Sequence, residues 1–326
     1  MTSVGSSPHW IGPTPTRLAI FLLLFVGSVG ILVAGLQPIL LGGLQDAHRL
    51  SISEVGTAGA LELLTLGVGA AAASALLKPR HIRIVGAVAA LVMVLANLAT
   101  LKFSGEAIVA WRGVAGAAII AAIGGPNAFQ ALPAVQRTTP LGFNPKALLG
   151  LFCIFAYLAF IVGLWVYVLP IGLHAGLTPE VVGYATAVSL GAQIVGGVAA
   201  ALFGRRIPYL WVLIGAGVIN LGLLAVFAGT PGPALFLIAI AAHGFLWLFV
   251  MPYQVLLLID VDPTRRLAMY GGPTQILGSS AGPYIASLFV TDQNPSAALA
   301  VGGVCILLSL ASLAGLSLAS RMGRRA

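Results

Sequence analysis

Three ionisable side chains stand in the middle of apolar runs, and each brings a definite chemistry. Glu62, in the stretch TAGALELLTLGVG, lies about 12 Å beyond Glu54 if the run is a helix rising 1.5 Å per residue. A carboxylate in such surroundings is costly, so it either carries a proton or pins neighbouring segments through a hydrogen bond or an ion pair. Arg112, in VAWRGVAG, keeps its charge at any accessible pH. It has three possible uses: an ion pair with Glu62, bidentate recognition of an anion, or a reach back to a polar surface beside Glu106. His243, in AAHGFLW, titrates near neutrality and either accepts a proton or packs as a satisfied imidazole.

Around these sit neutral polar and aromatic groups. Gln37 (followed by Pro38), Gln193, Trp247, Tyr253 and Gln254 either line a polar cavity with aromatic walls or act as interhelical glue worth about 1 kcal/mol each. Trp165 and Tyr167 lie near the end of a run, where an interfacial aromatic belt is expected. Gly67, Gly69, Gly196 and Gly197 read as close-packing faces, and Asp260 and Asp262 beside Arg265 and Arg266 as a loop charge cluster that latches one conformation. His48, His81 and His174 are scattered without cysteine partners, so neither a metal site nor a cofactor is expected. Cys153 and Cys305 read as small buried hydrophobes.

The elements that hold these groups follow from composition. Of 326 residues, 59% are hydrophobic and only 7% charged, with a mean hydropathy of +1.05, against about 25% charged in a soluble domain. Twenty-four charged side chains cannot clothe a globule of this size in water, which excludes a soluble enzyme, a disulfide scaffold and a disordered chain. A bilayer core takes about 20 apolar residues per helix. Cutting the chain where Pro, Gly or charge interrupts gives ten spans: 18–44, 53–77, 84–101, 107–129, 147–173, 179–203, 209–228, 234–259, 267–290 and 296–320. Continuous runs of this length must satisfy their backbones as helices, so the expected fold is an all-α polytopic membrane protein and not a barrel.

Charge orients these spans. With both ends of the chain on one side, 13 of the 16 Lys and Arg fall on that side, Arg49 and Lys102 fall on the other, and Arg112 lies within a span. This is a positive-inside pattern that puts both termini in the cytoplasm. It accounts for the net charge of +8 without a nucleic-acid partner and leaves a basic surface facing lipid headgroups.

The longest polar interruption, ALPAVQRTTPLGFNPK over 131–146, reads as a cytoplasmic linker with three prolines. It divides a tail (1–16) and four helices (17–130) from six helices (147–320) and a basic tail (321–326). The stretch from Leu50 aligns without gaps on that from Leu177, with 10 of 29 positions identical, among them Gly56 with Gly183 and Gly69 with Gly196. In this alignment Glu62 stands opposite Ser189. Parallel repeats joined by a cytoplasmic linker characterise one large group of secondary transporters.

On these features the chain resembles the major facilitator superfamily. The resemblance rests on a span, LSISEVG, a second span and the basic turn KPRHIR; on Trp111-Arg112-Gly113-x-x-Gly116 in the fourth span; and on Gly278-x-x-x-Gly282-Pro283 in the ninth. It departs in two ways. The turn lacks the family's Asp, and four plus six helices stand where the family has six plus six, so helices five and six of the first half are missing and a pseudo-twofold arrangement would have an incomplete first bundle.

The resemblance implies alternating-access transport of a small organic solute, with proton coupling, in a bacterial inner membrane. It places Arg112 on a cavity-lining helix with His243 as its counterpart in the second half, and it makes Gly278, Gly282 and Pro283 a conformational hinge. Arg112 facing His243 favours an organic anion, whereas an apolar cavity with one acid favours efflux of lipophilic compounds. A gap in the first bundle favours a homo-oligomer that covers it, or a shortened accessory protein that does not transport. Neither an enzyme nor a channel is expected, since no paired Asp motif, nucleophile with a base, or selectivity filter is visible.

Overall fold

A computed structural model describes residues 35–76, 82–123, 145–204, 206–262, 265 and 267–322. The N-terminal tail, most of the expected first span, the turn at 77–81, the bulk of the linker and the end of the basic tail lie outside the described residues. Among the described residues eleven α-helices follow one another: α1 (Gln37–Asp46), α2 (Ile52–Leu76), α3 (Ile82–Thr100), α4 (Glu106–Ile123), α5 (Pro145–Val166), α6 (Val168–His174), α7 (Pro179–Phe203), α8 (Tyr209–Ala228), α9 (Pro233–Val261), α10 (Gly271–Ser287) and α11 (Ala297–Met322). Among the described residues there is no strand, only an isolated bridge between Thr291 and Asn294. Among the described residues five helices, α5, α7, α8, α9 and α11, are long and apolar enough to cross a membrane, so the chain is a membrane protein.

Proline and capping residues set several of these bounds. Thr178 accepts a hydrogen bond from the Val181 N–H, and Pro179 occupies the first helical position, so α7 begins where the sequence puts it. The expected fifth span, 147–173, is instead two helices. Pro170 lacks an N–H, and its ring crowds the carbonyl four residues back, at Val166, where α5 ends and the chain turns at Tyr167. The expected ninth span opens with a 3-10 turn over Leu267–Tyr270, capped by the Asp262 carboxylate accepting from Leu267 N at 2.9 Å. Asp260 is occupied elsewhere, accepting from the Tyr209 hydroxyl at 2.7 Å.

Helices α2, α3 and α4 pack together, as do α5 and α7 to α11, and α10 also packs across onto α2. Helix α5 is enclosed by α9, α10 and α11. Trp165 and Tyr167 therefore lie in the core, at 1% and 0% exposure, and not in an interfacial belt. Their apparent position at a span end comes from counting α5 and α6 as one helix.

Candidate functional site

Where α2 and α4 cross, Gly116 lets the backbones approach: a side chain there would run into the Glu62 carbonyl and the Thr65 hydroxyl. One turn away, the closeness brings Arg112 onto Glu62. The guanidinium Nη2 pairs with Glu62 Oε1, and Nε donates to Oε2 at 3.1 Å, a fork-on-fork arrangement. Gln37 of α1 donates to Oε2 at 2.8 Å, and Arg112 Nη1 donates to Asn97 Oδ1 of α3 at 2.8 Å. Four helices thus meet at one neutral polar knot, with Arg112 at 0% and Glu62 at 2% exposure. Arg112 does not reach back to the surface.

The arrangement ties the balance of charge at Arg112 to the protonation state of Glu62. A proton added to Glu62 removes the counter-charge of Arg112 and leaves its guanidinium with Asn97 as an acceptor among the described residues. An anionic group that replaced the carboxylate would restore the balance.

The second half repeats the crossing without the charges. Gly69 faces the Ala117 carbonyl as Gly196 faces that of Phe245, and Gly116 faces Glu62 as Gly244 faces Ser189. In both pairs the earlier helix carries an offset of 127 and the later one 128. By that register the counterpart of Arg112 is Ile240, whose carbonyl accepts from the Ser189 hydroxyl at 2.8 Å. His243 corresponds to Ala115. The expectation that His243 answers Arg112 is corrected: matching His243-Gly244 to Arg112-Gly113 slips the register by most of a turn, because Gly244 answers Gly116. His243 is fully buried against α5, with Nε2 3.2 Å from the Ile161 carbonyl and its ring edge-on to Phe160 at 5.6 Å. It makes no contact with Arg112 among the described residues.

The remaining candidates are spread over the second half. Trp247 meets Trp165 edge-to-face at 5.8 Å, Gln254 accepts from Gln275 of α10 at 2.9 Å, and Tyr253 packs on Phe249 at 5.3 Å. The Gln193 Nε2 and Tyr253 hydroxyl are buried without a partner among the described residues. Gly278 and Gly282 fit against the backbone of α5 at Phe155 and Ala159, the contacts of a close helix crossing, with Pro283 inside α10 beside them. Sequence reasoning missed Asn97 and Gln275. Asn97 had a signal, as the one amide in an otherwise apolar third span.

One further contrast concerns α2 and α7. Helix α2 meets α10 along Ser53, Gly56, Thr57 and Gly67: Ser53 donates to the Ser287 carbonyl at 2.8 Å, and a side chain at Gly56 or Gly67 would strike α10. The repeat-equivalent positions on α7 are Glu180, Gly183, Tyr184 and Ile194. There Tyr184 and Ile194 are 65% and 68% exposed, and Gly183 has open space around it. Among the described residues, the face that α10 covers on α2 is bare on α7. No protein-family profile matches the chain, and no curated protein does.

Proposed function

We propose that the protein is a proton-coupled secondary transporter of the major facilitator type, moving a small organic solute by alternating access. Glu62 carries the proton and Arg112 is its counter-charge. The observation that carries this reading is the Glu62–Arg112 pair set against its repeat counterpart. The second half makes the same close crossing with Ser189 and Ile240, so packing alone does not call for a buried ion pair. Such a pair contributes little net stability and is retained where charge has a use. Once Glu62 is protonated, the freed guanidinium suits an organic anion.

In this reading ten helices span a bacterial inner membrane with both termini cytoplasmic, four in the first bundle and six in the second. The bare α7 face supports the missing pair of helices, since a complete first half would supply α7 with the partner that α10 gives α2. A homo-oligomer is the arrangement that covers it.

The test is solute-induced proton movement in proteoliposomes, screened with small organic anions and lipophilic cations, comparing the parent with Glu62→Gln. Flux in the parent that the variant loses supports the reading. The bare α7 face also favours a second one, a shortened accessory protein that does not transport. A folded parent without flux for any solute would establish that reading instead.

A further inference from the structure

At the end of the bundle where α5 and α8 begin and α9 and α11 end, the helices part to leave a lateral crevice of about 860 Å³. Its inner wall is apolar, with Ile214, Leu257 and Leu313 among the lining side chains. Among the described residues its rim carries two charges, the Lys146 ammonium and the Asp260 carboxylate, with Tyr209 and Trp211 beside them. Asp260 Oδ2 accepts from Tyr209, so the carboxylate is held in place, and Lys146 has no ion-pair partner among the described residues. Trp211 is 72% exposed, an indole suited to the boundary between headgroups and acyl chains.

We propose that this crevice is a binding site for a phospholipid with a primary-ammonium headgroup, a phosphatidylethanolamine. Lys146 receives the phosphate, Asp260 accepts from the ammonium, and the acyl chains run along the apolar wall. Charge complementarity selects this class. One cation and one anion at the rim match a headgroup carrying one of each. A headgroup with only negative charge would meet repulsion from Asp260. A trimethylated ammonium keeps the charge but has no N–H to donate to the carboxylate. The site lies away from the Glu62–Arg112 knot and does not depend on transport.

The experiment is native mass spectrometry of the delipidated protein in detergent, offered equimolar phosphatidylethanolamine, phosphatidylcholine and phosphatidylglycerol, with inorganic phosphate as a separate probe. The parent is expected to retain phosphatidylethanolamine with about tenfold preference, the effect of one charge-assisted hydrogen bond. Asp260→Asn, which can still accept from Tyr209, should abolish the preference over phosphatidylcholine while leaving total lipid retention. Lys146→Ala should lower retention of all three, and Ile214→Trp, which fills the crevice and alters no charge, should do the same. Equal retention of the ethanolamine and choline lipids by the parent, a preference for phosphatidylglycerol, or an Asp260→Asn variant that keeps the parent's selectivity would each overturn the proposal. Binding of inorganic phosphate as tight as that of the lipid would also overturn it, since the wall would then contribute nothing.

Discussion

Replacing Arg112 by Met removes three donated hydrogen bonds from one side chain: two to Glu62 and one to Asn97. The carboxylate it leaves behind keeps Gln37 alone among the described residues, in a place water does not reach. Removing one partner of a buried ion pair costs about 3–5 kcal/mol, and both groups here are almost wholly buried. At about 2 °C per kcal/mol for a chain of this size, its melting temperature falls by about 6–10 °C. Glu62→Met falls similarly, because it strands the guanidinium. The double replacement leaves no charge. Gln37 can still donate to the Gly59 carbonyl, and Asn97 to that of Met93, so the double variant is expected within about 2 kcal/mol of the parent. The coupling read from the cycle is then at least about 4 kcal/mol. Thermal unfolding of the four proteins in one detergent, followed by tryptophan fluorescence, measures it. Additive losses in the double variant would refute the claim that the two charges compensate each other.

Other outcomes follow from the same geometry. Gly56→Ala pushes a methyl into the Tyr167 hydroxyl and the backbone at Pro283, and is expected to cost about 1–3 kcal/mol, whereas Gly183→Ala, its repeat partner, meets open space and leaves the melting temperature within about 1 °C or raises it. A matched pair of melting curves decides this. Gly191→Cys places a thiol on the bare α7 face, and since Cys153 and Cys305 are buried, oxidant should give a single crosslinked dimer in membranes. A monomer on the gel would leave lipid as the cover of that face. In the untreated parent, a membrane-permeant maleimide should label neither native cysteine until the protein is denatured, which mass spectrometry reads directly.

Much of the architecture was legible because punctuation in the sequence is physical. Helices α7 and α8 run over 179–203 and 209–228, as read, since Thr178, Pro179 and Pro208 set their starts. The pairing of Glu62 with Arg112 was one of the uses read for those residues, because two opposite charges in apolar runs have few other ways to be satisfied. Three things were not legible. The break at Tyr167 depends on a carbonyl four residues before a proline, which hydropathy does not register. The burial of Trp165 depends on how many helices surround α5. The register of His243 depends on which glycine touches which carbonyl, and a local motif match cannot tell Gly113 from Gly116.

The contact between α2 and α10 has a mechanical consequence. Two bodies joined along opposite sides can only rock, opening one end as the other closes. Joined along one side, they swing. With α10 seated on α2 and no equivalent partner on α7 among the described residues, the joint lies along one side, and under the proposed transport reading the two groups of helices would part on the side facing away from it and a solute would enter sideways, from the bilayer.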